Sequence, residues 1–421
     1  MFPGGELVRP LPTWCLFCGE YGGVDFTLNI ILFVPYGVAL YLLLGSRWRP
    51  IVISALTSLT IELLQLSVIP NRDTSIGDLT SNTLGGALGV VLASQWRTWI
   101  LPTPQVAKRL SEIGVIVWFA LLCLSGWALQ PAPTDSPWYG QWVPQLAQFG
   151  TFRGDLLEAM LNGAPFPQGK MAEPNEIRPG FATGEISIDA HVVAGWRQNT
   201  GTLTPIVSIF DSAQKEVLFF GQKGISLVYR GRTNTSTLRM REPTVGLRRV
   251  FPNYYPGSVT GSLNDGSRLG DTLFISGERT NGVIRLASIS PVKSQQQEYR
   301  LHVFLLWNSI LPFDLSLSPA IDALSALWAS GLLVLPAYWS AQRAKRRRGA
   351  LLFVGVMVLG LVGVPLFFDL PISPWWAWVA SGIGVGIGWM LAQIAKPNNV
   401  VQTPEEVGAL LKVGNSGRTY G

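Results

Sequence analysis

Residues 26–96 constrain this chain more than any other stretch. They hold three apolar runs, FTLNIILFVPYGVALYLLLG, IVISALTSLTIELLQLSVI and LTSNTLGGALGVVLASQW, separated by a short basic break and the polar turn NRDTSIGD. Each run is about twenty residues long, enough to cross a bilayer as a helix. A bilayer offers no water to a backbone N–H or C=O, so such runs fold as helices. The polar residues in and between them are few: Asn29, Glu62, Gln65, Asp78 and Asn82, with Arg72 in the turn. Polar side chains are costly there, so they mark either helix contacts or a working site.

Four more apolar runs follow, at 113–130, 320–339, 350–368 and 375–394. The expected fold class is therefore an α-helical integral membrane protein of about seven transmembrane helices. Only 14% of the residues are charged, and the 16 tryptophans suit membrane interfaces. The net charge of +6 comes from short basic runs beside the spans, which reads as topology signals and excludes nucleic acid as the expected partner.

Those basic runs orient the chain. Arg47 and Arg49, Lys108 and Arg109, the Arg343–Arg348 run and Lys396 all fall on one side if seven spans alternate, and the positive-inside rule makes that side cytoplasmic. The N-terminus, the Arg72 turn and the large polar segment then lie on the extracytoplasmic side. Residues 1–25 lack a basic start and a small-residue cleavage site, so no cleavable signal peptide is expected. One further helix before Met1 would place the terminus inside.

The segment between the helical parts reads as all-β. FATGEISIDAHVVA alternates apolar and polar residues, and PIVSIF, EVLFFGQ, ISLVYR, DTLFISG, GVIRLA and YRLHVFLLW are strand candidates. Gln222-Lys223-Gly224 and Asn281-Gly282 are hairpin signals, the second favouring a type I′ turn. Strands at this spacing suggest an inserted two-sheet sandwich. The expected division is 1–25, an extracytoplasmic N-terminal segment; 26–130, transmembrane; 131–178, a connecting arm with a helical patch near 155–162; 179–318, the sandwich; 319–395, C-terminal transmembrane helices; and 396–421, a cytoplasmic tail.

Residues three or four apart share a helix face. Ser58, Glu62 and Gln65 therefore line one side of the second span, and Asp78, Asn82, Gly85 and Gly89 one side of the third. Gly85 and Gly89 form a small-xxx-small pair that admits a close neighbour. With the orientation above, Asn29, Glu62, Gln65, Arg72, Asp78 and Asn82 converge on the outer leaflet. The functional reading is a polar pocket for a lipid headgroup or a lipid-linked sugar; the plainer reading is hydrogen-bonded helix contacts.

DFTLNIILFVPYG, IELLQ, NRDTSIGD and LTSNTLGGALG, in this order, resemble the VanZ-like family of bacterial membrane proteins. The positions that carry the resemblance are Asn29, Phe33, Pro35, Gly37, Glu62, Gln65, Arg72, Asp78, Asn82 and Gly85, and it covers about residues 11–130. It implies a plasma-membrane protein with a relative linked to glycopeptide-antibiotic (teicoplanin) resistance, and it brings no catalytic residues. Residues 181–305 are similar, more loosely, to concanavalin-like or laminin-G-like sandwiches, many of which bind glycans.

On the sandwich, Trp196, Tyr229, Tyr254 and Tyr255 with Gln198, Asn199 and Asn264 offer the aromatic and amide groups a glycan would use; the other reading is a spacer or protein-contact domain. Asp211 or Asp271 are the residues available to calcium, and Glu185 and Asp189 alternate along one strand without a second carboxylate pair for glycosidase chemistry. Cys15 and Cys18 form a lone CxxC suited to a disulfide, and the two histidines, His191 and His302, make no zinc set. No metal or cofactor is expected. The leading expectation is recognition or shielding of an envelope lipid or glycan. The alternatives are a membrane-embedded enzyme on a lipid-linked substrate, with Glu62 as acid/base and Arg72 holding an anionic group, and then a transporter.

Overall fold

The computed structural model describes residues 15–17, 19, 21–68, 75–145, 149–171, 174–196, 198, 201–253, 269–311, 320–343 and 353–395. Arg72, most of the Arg343–Arg348 run, the N-terminal fourteen residues and the C-terminal tail lie outside that set.

The first helices are α1 (Gly22–Leu44), α2 (Arg49–Val68), α3 (Ile76–Ser94) and the short α4 (Trp96–Ile100). Asp25 sits in the first turn of α1, where a carboxylate meets the positive end of the helix dipole. Gly45 ends the helix at a φ of 60°, its N–H donating to the Tyr41 carbonyl. Helices α1 and α3 touch backbone to backbone. A Cβ on Gly85 would strike Ile30 O and one on Gly89 would strike Val34 O, while Gly37 of α1 lies as tightly on Gly86. The small-xxx-small face expected on α3 is therefore a helix contact, and α2 packs beside it to complete a three-helix group. Next comes α5 (Pro104–Ala128), which starts nine residues before the expected span; Thr103 caps it and Pro104 occupies its first turn.

The polar segment folds into two antiparallel six-stranded sheets. The strands are β1 (Trp138–Trp142), β2 (Asp155–Leu161), β3 (Ala164–Pro165), β4 (Gly169–Lys170), β5 (Ile186–Val193), β6 (Leu203–Asp211), β7 (Glu216–Lys223), β8 (Ser226–Gly231), β9 (Val245–Leu247), β10 (Thr272–Thr280), β11 (Val283–Ile289) and β12 (Ser294–Arg300). Helices α6 (Pro174–Thr183) and α7 (Leu306–Ser309) flank them. One sheet runs β4-β1-β6-β7-β8-β9 and the other β12-β11-β10-β5-β2-β3. Ile188, Ile209, Leu218, Phe220, Tyr229, Ile275 and Leu286 are wholly or almost wholly buried in its core. Both hairpin signals hold: Gly224 turns β7 into β8, and Asn281 and Gly282 take φ values of 46° and 72° between β10 and β11.

Three expectations are corrected. The helical patch near 155–162 is strand β2, paired with β5, with Ala159 and Leu161 two residues apart on its buried face. The 131–178 arm supplies β1 to β4 and so belongs to both sheets. YRLHVFLLW is not one strand: only Tyr299 and Arg300 belong to β12, and Leu301, Val303 and Phe304 are buried outside the ladder.

After the sandwich come α8 (Ile321–Ala341), α9 (Phe353–Phe367) and α10 (Trp375–Ile394). Helix α9 contains a π-helical turn at Leu359–Gly363. Helix α5 packs with this group. Gly114 meets Pro336 and Trp339 of α8, and Trp118 and Leu122 close on Gly360 of α9. Helices α8 and α10 approach closely at Gly384 and Gly388. The expected 26–130 helical unit thus divides before α5. Among the described residues, four helices, α1, α5, α8 and α10, are long and apolar enough to cross a membrane by length and composition; seven spans were expected. Helices α2 and α3 carry the serines, threonines and carboxyls described below, and α9 is shorter.

The sandwich sits at one end of both helix groups. Gly23 N–H donates to Arg239 O at 3.1 Å, Thr235 N–H to Ala128 O at 3.0 Å, and Gly282 lies against Leu370 and Pro371. At the opposite end Trp339 donates to Trp99 O at 2.8 Å, and Arg343 pairs with Glu112 at 2.9 Å.

Candidate functional site

The polar residues of α1, α2 and α3 meet between the helices. Ser75 caps α3: its Oγ accepts from Asp78 N–H at 3.0 Å. The spacing Ser-x-x-Asp is that of a capping box, in which the acidic side chain would reach back to the cap N–H. Here the reciprocal bond is given to other helices. Ser75 N–H donates to Glu62 Oε2 of α2 at 3.2 Å. The Asp78 carboxylate accepts from Asn29 Nδ2 of α1 at 2.7 Å. One helix start thereby ties α1, α2 and α3 together.

One turn further along α3, Asn82 Nδ2 donates to Ser58 Oγ at 2.9 Å, and Ser58 Oγ donates to the Asp78 carbonyl at 3.4 Å. Ser81 also reaches that carbonyl, at 3.2 Å. Ser58 is fully buried, Asn82 is 5% exposed and Glu62 8%. The network leaves two buried acceptors without a hydrogen-bond partner, Gln65 Oε1 on α2 and Asn82 Oδ1 on α3.

Five of the six expected residues are therefore on these facing surfaces; Arg72, the sixth, lies outside the described residues. Four of the five, Asn29, Glu62, Asp78 and Asn82, are bonded into the network. Sequence reasoning placed Ser58 on the right face without giving it a role, and it missed Ser75 and Ser81. Ser75 was findable, because the capping pattern stands in NRDTSIGD.

A second polar cluster lies where the sandwich meets the helices. Glu242 Oε2 accepts from Thr233 N–H and Oγ at 2.9 Å each and from Thr235 Oγ at 3.1 Å. Burial pushes its carboxyl up to about 7 against the pull of the Thr233 bonds. Arg230 grips Glu216 with two bonds of 2.6 and 2.5 Å. Arg279, 5% exposed, donates to Leu129 O at 3.2 Å, and burial lowers its guanidinium from the ordinary range. His302, equally buried, sets its ring edge-on to Trp376 at 5.0 Å, and burial pulls its imidazole down to about 3.

Of the seven glycan residues expected on the sandwich, Trp196, Gln198 and Tyr229 are described. Tyr229 is a core residue at 1% exposure, and Gln198 is buried at 7%. Trp196 is half-buried, while Tyr254, Tyr255, Asn199 and Asn264 lie outside the described residues. Asp211 is occupied as a turn acceptor for Ala213 and Lys215 N–H, at 2.9 and 2.8 Å. Among the described residues, no group of three or more His, Cys, Asp or Glu is placed to hold a metal. Asp189 stands one pleat from His191, which contacts Glu158 at 3.7 Å. Cys15 is disulfide-bonded; Cys18, expected as its partner, lies outside the described residues, and Cys123 is free.

Residues 7–99 match the family described as VanZ/LLP1. The match spans the three-helix group and its polar network and ends before α5, so this N-terminal part is VanZ-like. No curated protein and no solved structure matches the chain.

Proposed function

We propose that this chain is a multi-pass protein of the bacterial plasma membrane that recognises or shields a cell-envelope lipid or glycan at the outer leaflet. Its polar set, Asn29, Glu62, Gln65, Arg72, Asp78 and Asn82, forms the receiving site, with the concanavalin-like sandwich above it on the extracytoplasmic side. Modulation of glycopeptide-antibiotic access follows from that role. One observation carries the reading: the interhelical network spends its donors on holding α1 to α3 together and leaves Gln65 Oε1 and Asn82 Oδ1 buried and unpaired. A network serving only as glue has no reason to strand acceptors in an apolar medium, where an unmet polar group is costly.

The orientation draws support from the helix ends. The sandwich contacts the start of α1 and the end of α5, while Arg343, Lys108 and Trp99 gather at the other end. Glu62 accepts a backbone N–H, which suits a fixed acceptor more than a proton carrier.

Native mass spectrometry of the purified chain with an envelope lipid extract tests this. A retained lipid of unchanged mass, lost on Asn82→Leu, is the expected result. A lipid changed in mass by wild type and not by Glu62→Gln would make the protein an enzyme.

A further inference from the structure

The described residues from Cys15 to Gly19 form no helix or strand, yet three elements hold them. A Cβ on Gly77, in the first turn of α3, would strike Leu16 O, and one on Gly22, at the start of α1, would strike the Phe17 backbone. The Phe17 ring meets Phe26 of α1 at 5.0 Å. Gly19 takes a φ of 79°, and its carbonyl accepts from Arg239 Nη1 at 3.1 Å, on the loop after β8. The carbonyl of the same Arg239 takes the Gly23 N–H of α1. Leu16 and Phe17 remain 49% and 44% exposed, so backbone fit holds this segment more than apolar burial does. Such a segment needs its backbone constrained beforehand, because ordering each residue is costly. Cys15 supplies the constraint. It is disulfide-bonded, Cys123 is free, and the chain has three cysteines, which leaves Cys18 as its partner. The bond closes a ring of four residues, and the lost chain freedom favours the ordered segment by about 20-fold.

We infer that this disulfide fastens a strap across the first turn of α3, and that breaking it releases the strap and uncovers the sandwich-side end of the polar network. Ser75 and Asp78, which tie α2 and α1 to α3, stand on either side of Gly77, where Leu16 lies. A dithiol opens the ring by exchange. Its two thiols reduce the S–S bond to thiols on Cys15 and Cys18, and it leaves as its own disulfide, so electrons and protons balance. The strap stands on these contacts alone; its control of ligand entry rests on the receiving-site reading above.

The test uses the purified full chain carrying Cys123→Ser, with and without dithiothreitol, followed by amide hydrogen exchange. Reduction should speed exchange at Gly23, Ser75 and Asp78 by about tenfold while β10 in the sandwich core keeps its rate. Uptake of lipid from an envelope extract, followed by native mass spectrometry, should quicken severalfold in the reduced chain. A Cys15→Ser, Cys18→Ser variant should match the reduced chain whether or not dithiothreitol is present. If that variant does not fold, the reduced chain still decides the matter with both cysteines in place. Alkylation of Cys15 in the unreduced chain overturns the inference, and so does unchanged exchange at Ser75 and Asp78 on reduction. Faster exchange with unchanged lipid uptake overturns the control of entry and leaves the lipid-binding reading intact. Faster exchange with no lipid retained in either state overturns that reading and the control of entry together, and upholds the strap.

Discussion

Asp78 carries three tasks at once, and each uses a different atom. Its N–H satisfies the cap, its carboxylate holds Asn29 of α1, and its carbonyl takes Ser58 of α2. Removing one interhelical hydrogen bond in a membrane costs about 0.6–2 kcal/mol. Asn29→Ala should therefore lower the thermal unfolding midpoint in detergent by a modest, measurable amount, and an unchanged midpoint would show that this pair does not hold the group together. Gly85→Leu should do far more damage, since its side chain has nowhere to go but into the α1 backbone. The residues of this site were legible because helical spacing and membrane cost both single out lone polar groups. Their bonding was not, because spacing alone cannot tell which of three helices a side chain will choose. Ser75, whose N–H goes to Glu62 in place of its own capping partner, shows the difference.

At the scale of elements, the loop after β8 deserves comparison with the hairpins. Thr233 to Arg239 run between two helix groups, bonding Ala128 of α5 and Gln130 just past its end on one side and Gly23 of α1 on the other. Glu242 anchors that loop through Thr233 and Thr235. With its carboxyl raised from 4.5 to about 7, the folded chain keeps a proton that the unfolded chain releases from about pH 4.5 upward. The stability this group contributes is full below that point and is lost as pH climbs through about 7. His302 acts in the opposite sense: lowered from 6.5 to about 3, it costs stability as pH falls below about 6.5. Unfolding midpoints measured from pH 4 to 8 should lose their alkaline decline in Glu242→Gln. In His302→Phe the acid decline should flatten, and a variant that keeps its wild-type limb would remove that group from the account. The hairpins were legible because Asn281-Gly282 and Gly224 need positive φ. Strand β2 and the edge strand β12 were not: β12, SQQQEYR, is polar along most of its length and carries no alternation to detect.

For the whole molecule, the arrangement of helix ends makes a prediction about sidedness. A cysteine placed at Ser294, on the exposed edge of the sandwich, should react with a membrane-impermeant thiol reagent on intact cells, and one at Arg109 should not. Labelling at Arg109 and not at Ser294 would reverse the proposed orientation. Apolar runs made the helical parts readable, and the break between them made the β domain so. The allegiance of α5 was hidden, because a span looks equally apolar whichever neighbours it keeps.

That allegiance has a bearing on how the chain is made. The partners of α5 begin at Ile321, far beyond its own end at Ala128, with the whole sandwich between. At the 5–20 residues per second of synthesis, α5 waits on the order of 10–40 s in the bilayer before α8 arrives. It must persist there with lipid against Trp118 and Leu122, which in the finished protein are 1% exposed. Its most apolar 18 residues, at a mean hydropathy of 1.8, equip it to wait alone. The first three helices face no such delay, so the ribosome delivers a finished VanZ-like unit long before the rest of the protein exists.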